Sequence, residues 1–359
     1  MRRPTETTFI VAEAGVNHNG DRDIAFQMVE AAAGAGVDAV KFQTFNTASH
    51  VTRVAPKAAY QSETTDPKES QFEMLRKLEI DHDTHRALKQ YAEKKDLQFI
   101  STAFDFESLA FLSNDLQLEI LKIPSGEVTN GPLLLEFAKT GRQLIMSTGM
   151  ANMDEIRQAL TVLAYGMTEG RYPSKSAFTD AYESEEGQAA LRDRVTLLHC
   201  TTQYPAPFES INLRAMASLR DTFCLRVGYS DHSKGILVPC TAVALGAVSI
   251  EKHFTLDRMS LGPDHSASLE PEELREMVEA IRSTETILGD GEKVPHQAEV
   301  INREVARKSL VAATAIAKGE SFSRENLAIK RPGGGRSPMD YWSLIGSISP
   351  KDYCMDDFI

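Results

Sequence analysis

Short runs of strand-forming residues alternate with helical periodicity as far as Leu288, and this alternation restricts the chain to an α/β architecture. The candidate strands are Phe9–Glu13, Ala39–Gln43, Gln98–Ser101, Glu119–Ile123, Gln143–Ser147, Val195–His199, Cys224–Val227 and Ala247–Glu251. Each is followed by a helix-like segment such as Arg22–Ala35 or Pro271–Leu288. Eight such units predict a parallel (β/α)8 TIM barrel, which typically needs about 250 residues. An open doubly wound sheet is the alternative. It seldom carries eight regular units, and no Gly-x-Gly-x-x-Gly follows the first strand.

Two stretches break the rhythm. Asn46–Asp83 is long and reads as a lid or rim excursion around Pro56–Gln61. Gly166–Arg194, with Gly170, Pro173 and an acidic Glu183–Glu186 patch, reads as a surface insertion. Residues 1–288 are thus expected as the barrel and the polar stretch 289–308 as a linker. Residues 309–359 form a second unit too small to be more than marginal alone. The formal net charge of −12 argues against nucleic acid or an anionic membrane surface as partner. No signal-peptide stretch opens the chain, and the longest apolar run, Ile236–Ile250, is too short to span a bilayer, so a cytoplasmic protein is expected. Cys200, Cys224, Cys240 and Cys354 show no metal or redox spacing and read as buried, reduced thiols.

The chemistry is expected at the strand ends. His232 and His253 close two successive apolar runs, and Asp264-His265 follows in the next loop. In a parallel barrel, consecutive strands deliver residues to one carboxyl-terminal rim. Two imidazoles with a nearby carboxylate suit a divalent transition metal with positions open to substrate. Lys41 and Lys122 sit in apolar surroundings at the ends of strands two and four, which is costly unless each pairs with an anion. One reading is an internal pair with Glu13 or Glu127. The other follows from hydroxyls at matching positions, Thr102, Ser125, Ser147 and Ser230, which with two lysines make a ring of donors for a dense anion. His18, in Asn17-His18-Asn19-Gly20, reads as a cap of the first loop rather than a metal ligand.

Several of these segments together resemble the sialic acid synthase family. They are Ala12–Gly20, Val40–Thr44, Gly228–His232, Glu251–Asp257, Gly262–Pro271 and the tail from Ser309 to Ile359. The tail resembles that family's antifreeze-like (SAF) domain. The resemblance implies metal-dependent condensation of phosphoenolpyruvate with an acetamido hexose, giving a nonulosonic acid and phosphate. It places phosphoenolpyruvate at Lys41, Thr102, Lys122, Ser125, Ser147 and Ser230. Thr202 stands where some relatives carry asparagine beside the phosphate, so that contact differs. It places the sugar at Gln43, Tyr204 and Asp264, and at Arg331 in the tail, with Arg336 as a substitute. It implies a divalent ion (Mn²⁺, with Mg²⁺ or Co²⁺ as alternatives) at His232 and His253. Glu127 would bond water beside that ion, and Glu13 would act as general base or orient the sugar. It also implies a homodimer in which the tail covers the partner's barrel mouth.

N-acetylmannosamine is the favoured sugar, ahead of 2,4-diacetamido-2,4,6-trideoxymannose, the substrate of legionaminate-type members; pseudaminate-type members use a further isomer. A Schiff-base aldolase also places a lysine in a barrel, but leaves the histidines and hydroxyls unexplained. Deoxy-octulosonate or deoxy-heptulosonate phosphate synthesis shares the chemistry, but those enzymes usually lack such a tail. A sugar-binding protein without catalysis is the reading from a different class.

Overall fold

Strands β1 (Phe9–Gly15), β2 (Ala39–Thr44), β3 (Gln98–Ala103), β4 (Ile120–Ile123), β5 (Gln143–Ser147), β6 (Val195–Cys200), β7 (Arg226–Asp231) and β8 (Ser249–His253) follow one another round a closed, all-parallel barrel. The computed structural model describes residues 7–168 and 172–359; Met1–Glu6, and Gly170 in the second irregular stretch, lie outside the described residues. β1 closes the ring by pairing with both β2 and β8. The strands are buried almost throughout, as expected where helices cover a parallel sheet.

Period-two alternation divides each strand. One set of side chains, including Ile10, Ala12, Val40, Phe42 and Leu121, packs outward in the large core beneath the helices. Val11, Ala39 and Ile100 form a small apolar cluster of their own, with Phe9 and Ile120 against it. Polar residues that alternate in step with this second set are the ones that build the site. Lys122 is the penultimate residue of β4, near the strand end as expected, whereas Lys41 lies mid-strand because β2 runs on to Thr44.

The strand edges differ most at β7 and β8. Cys224 takes a left-handed conformation (φ 53°) that ends helix Ala215–Phe223, so β7 starts at Arg226 rather than Cys224 and extends to Asp231. β8 starts at Ser249 rather than Ala247. Cys224 and Cys354 are exposed, against the expectation of buried thiols; Cys200 is buried and Cys240 half-buried.

Helix Pro271–Leu288 fastens the first strands. Arg282 donates to the Thr8 carbonyl (2.8 Å) and to Asp38 (2.8 Å), and the same Asp38 oxygen accepts the Ile10 N–H (2.7 Å). The Asn46–Asp83 excursion holds helices Thr47–His50, Ala59–Thr64 and Gln71–Leu78. The second irregular stretch holds Lys175–Glu183 and Glu185–Arg194, with Phe178 packed edge-on against Tyr165 (5.0 Å).

The chain divides into two units, Met1–Asp290 and Gly291–Ile359. Most of the expected linker is therefore structured within the second unit. It contains helix Gln297–Ala306, started by a reciprocal cap in which His296 accepts the Ala298 N–H (3.3 Å) and Glu299 accepts the His296 N–H (3.0 Å). The second unit has its own apolar core of Leu310, Ala312, Ile316, Phe322, Leu327, Leu344 and Tyr353. Across it run antiparallel β9 (Ser309–Ala312) and β10 (Leu327–Lys330). Among the described residues, no helix is long and apolar enough to cross a membrane.

Candidate active site

Charge decides the lower part of the barrel mouth. Lys41 on β2 meets Glu13 on β1 at 2.6 Å and donates to Thr102 on β3 (3.1 Å). Lys122 on β4 donates to Ser147 on β5 and to Glu251 on β8 (3.1 Å). Glu251 also accepts from Ser230 on β7 (2.9 Å) and lies 3.7 Å from Lys41. Gln43 donates to Glu13 (3.1 Å). The two lysines and two glutamates are nearly excluded from water. Burial alone would raise the Glu251 carboxyl, but Lys122 and Lys41 win and hold it at about 2. Burial raises Glu13 against the opposing pull of Lys41, with Glu251 adding to the rise, and burial lowers Lys122.

The internal pairing is present, with Glu13 for Lys41 as expected and with Glu251 rather than Glu127 for Lys122. The two lysines also line a cavity of about 190 Å³ with the expected hydroxyls. The cavity wall includes Thr102, Ser125, Ser147, Thr202 and Ser230 beside Lys41 and Lys122. Ser125 accepts the Gly149 N–H (3.0 Å) and contacts the Cys200 thiol (3.3 Å). A Cβ on Gly149 would stand 2.3 Å from Thr202 Oγ1 and 2.9 Å from both Cys200 Sγ and Ser125 Oγ. Glycine is needed there for close approach, not for its backbone angle. Gly149→Ala is expected to push Thr202 and Ser125 into the cavity and weaken anion binding about tenfold, at an overpacking cost of roughly 1–3 kcal/mol. Titrating phosphate against the variant by calorimetry, alongside its urea unfolding curve, checks both parts.

The two histidines meet on the same wall. Their ring centroids are 5.4 Å apart, and the Tyr204 ring lies 4.1 Å from His232 and 5.5 Å from His253. His232 Nδ1 lies 2.6 Å from the Thr201 carbonyl, so Nδ1 carries the proton and Nε2 keeps its lone pair. Burial holds His232 at about 4 and His253 well below the ordinary imidazole range, so both are neutral near pH 7. His253 Nδ1 is buried with no hydrogen-bond partner, 3.9 Å from Asp264. Two neutral imidazoles, one with an orphaned nitrogen, fit a divalent ion. Among the described residues no set of three His, Cys, Asp or Glu side chains converges, so further donors would be water or substrate. Burial, and Glu13 after it, raises Asp264 to about 7.

Other expected residues fall outside this wall. Glu127 is buried but its carboxylate accepts from Asn130 (2.6 Å), the cap of helix Gly131–Lys139, and it is not among the cavity-lining residues. Arg331 lies exposed in the second unit, where Arg336 is 3.4 Å from Asp340. His18 caps the first loop as expected, accepting the Gly20 N–H at Nδ1 (3.0 Å).

His18 also makes a prediction. Burial lowers it from 6.5 to about 4, so the unfolded chain takes up this proton first as pH falls. The stability is fully present above about pH 6.5 and is lost toward pH 4, by about 3 kcal/mol. His18→Gln is expected to flatten that limb in urea unfolding at pH 7 and 4.5.

Sequence reading missed Glu251, Cys200 and Gly149. Glu251 had a usable signal, because it precedes His253 by two residues and therefore shares its face. Tyr60 of the excursion was missed as well. It stacks on Tyr204 at 5.0 Å, a contact with no trace in local pattern.

The NeuB family model matches residues 28–293, and the SAF domain model residues 307–352. The chain belongs to the NeuB family. It is an enzyme of the sialic acid synthase type, as its motifs implied. The N,N'-diacetyllegionaminic acid synthase of Campylobacter jejuni is 48% identical over 98% of both chains. That of Legionella pneumophila is 43% identical over 96% of this NeuB chain and 91% of its own. A crystal structure of N-acetylneuraminic acid (sialic acid) synthetase from Leptospira borgpetersenii, in complex with citrate, is 33% identical. It covers 83% of this chain and 90% of its own, at a TM-score of 0.66.

Proposed function

We propose that this NeuB-family enzyme condenses phosphoenolpyruvate with 2,4-diacetamido-2,4,6-trideoxymannose and water, releasing phosphate and a legionaminate-type nonulosonic acid. The observation that carries the reaction class is the single cavity with paired buried lysines and hydroxyls beside two neutral imidazoles. The sugar preference replaces N-acetylmannosamine, on the 48% and 43% identity to enzymes named for N,N'-diacetyllegionaminic acid.

Lys41, Lys122 and the hydroxyls of Thr102, Ser125, Ser147 and Ser230 hold the phosphate and carboxylate of phosphoenolpyruvate. Glu251 accepts from Lys122 and lies 3.7 Å from Lys41, so it orients the two ammonium groups before the ligand arrives. Carbon 3 of phosphoenolpyruvate attacks the open-chain aldehyde, water adds at carbon 2, and phosphate leaves through carbon–oxygen cleavage. Glu13, buried and raised, is the group suited to take or orient the proton at the sugar. Gln43, Tyr204 and Asp264 face the sugar. His232 and His253 would hold a divalent cation, Mn²⁺ by preference over Mg²⁺ or Co²⁺, which supplies Lewis-acid polarisation when bound. Glu127, held by Asn130, supports the turn that carries Ser125. The active form is a cytoplasmic homodimer in which Arg331 of one subunit meets the N-acyl group in the other.

Phosphate release from phosphoenolpyruvate, with and without Mn²⁺, tests this reading across a panel of hexosamines. The panel holds N-acetylmannosamine, 2,4-diacetamido-2,4,6-trideoxymannose and the altrose isomer that leads to pseudaminate. Mn²⁺-dependent release with the diacetamido mannose sugar is expected. Preferential release with either other sugar overturns the substrate assignment, and undiminished release under chelator overturns the cation.

A further inference from the structure

His232 is flanked in sequence by Asp231 and Ser233, and His253 is preceded by Lys252. Alternation turns these flanking side chains away from the cavity, and Asp231 and Lys252 are direct register partners across β7 and β8. Lys252 Nζ donates to Asp231 (2.6 Å) and to the Ser233 carbonyl. The Ser233 N–H (3.0 Å) and hydroxyl (3.1 Å) both donate to Asp231. All three residues are 0% exposed. One ammonium thus grips the backbone on the far side of His232 and the side chain on its near side, from the residue adjoining His253.

A buried ion pair is a poor source of stability. Its desolvation cost largely cancels its attraction, and apolar residues of similar volume often do as well or better. What it does supply here is a fixed spacing between two strand ends. The imidazoles borne by those ends are 5.4 Å apart, and no third protein side chain among the described residues helps to hold a cation between them. With only two protein donors, their separation is the main protein-imposed geometry of such a site, and small errors in it would be costly.

We propose that Asp231, Ser233 and Lys252 are positioning residues that set the separation of His232 and His253 and so govern divalent-cation affinity. This rests on the cation reading of the two histidines given above. None of the three touches the cavity, so their effect on phosphoenolpyruvate binding without the cation is small.

The test is Mn²⁺ titration of the metal-stripped full-length protein by electron paramagnetic resonance. It compares the parent, His232→Ala and the double variant Asp231→Asn/Lys252→Met, which removes both charges together. The double variant is expected to keep its circular dichroism spectrum and urea midpoint but to bind Mn²⁺ about 10–100-fold more weakly, the range seen when groups supporting metal ligands are lost. A folded double variant whose Kd stays within threefold of the parent overturns the proposal. A parent that binds no Mn²⁺, or binds it no more tightly than His232→Ala does, overturns the underlying cation reading, and the proposal with it. Should the double variant fail to fold, Ser233→Ala decides, because it keeps the ion pair and loosens only the loop after His232. A weaker Kd supports the proposal and an unchanged Kd overturns it.

Discussion

Glu251→Ala should cost the protein about 3–5 kcal/mol of unfolding free energy, the usual range for stripping one partner from a buried ionic group. The carboxylate serves three donors at once: Lys122 at 3.1 Å, Ser230 at 2.9 Å and, less closely, Lys41 at 3.7 Å. Without it Lys122 keeps Ser147 alone among the described residues, while Lys41 retains Glu13. Glu251→Gln preserves shape and an acceptor, so its loss should be smaller. Because the folded value lies at about 2, below the ordinary 4.5, the contribution is present above about pH 4.5 and disappears as the pH falls toward 2. Urea unfolding at pH 7 measures it, and phosphoenolpyruvate should restore part of the lost stability by supplying the missing negative charge. A change under 1 kcal/mol would show that the lysines do not depend on this counter-charge.

Lys122→Met should raise the KM for phosphoenolpyruvate about a hundredfold, equivalent to about 2.7 kcal/mol, with the sugar's KM nearly unchanged. Methionine fills the volume of the lysine stem without its charge, and Ser147 loses its donor. Initial-rate phosphate release over a range of phosphoenolpyruvate concentrations measures the shift. A KM within threefold of the parent would mean that the anion sits elsewhere.

Much of the barrel was legible in the chain because its signals are local. Strand runs and helix periods repeat every few dozen residues, and β5 falls where expected, Gln143–Ser147. The edges of β7 and β8 were not legible, since Cys224 ends its helix in a conformation that composition does not reveal. Lysines, hydroxyls and histidines near strand ends were enough to mark out the residues that line one cavity. Their partners did not show. The bond between Lys122 and Glu251 joins residues 129 positions apart, and only closure of the ring between β1 and β8 brings β8 across from β4. The same holds for Glu127. Its motif implied a role beside the cation, and nothing in the local pattern revealed that one of its carboxylate oxygens accepts from Asn130.

The fastening made by Arg282 has an evolutionary consequence. It draws Thr8 and Asp38 together from a helix that ends at Leu288, before the second unit begins at Gly291. Recombination that replaced everything after Asp290 would therefore leave every one of these fastening bonds in place, while supplying a different carboxyl-terminal cassette with its own core.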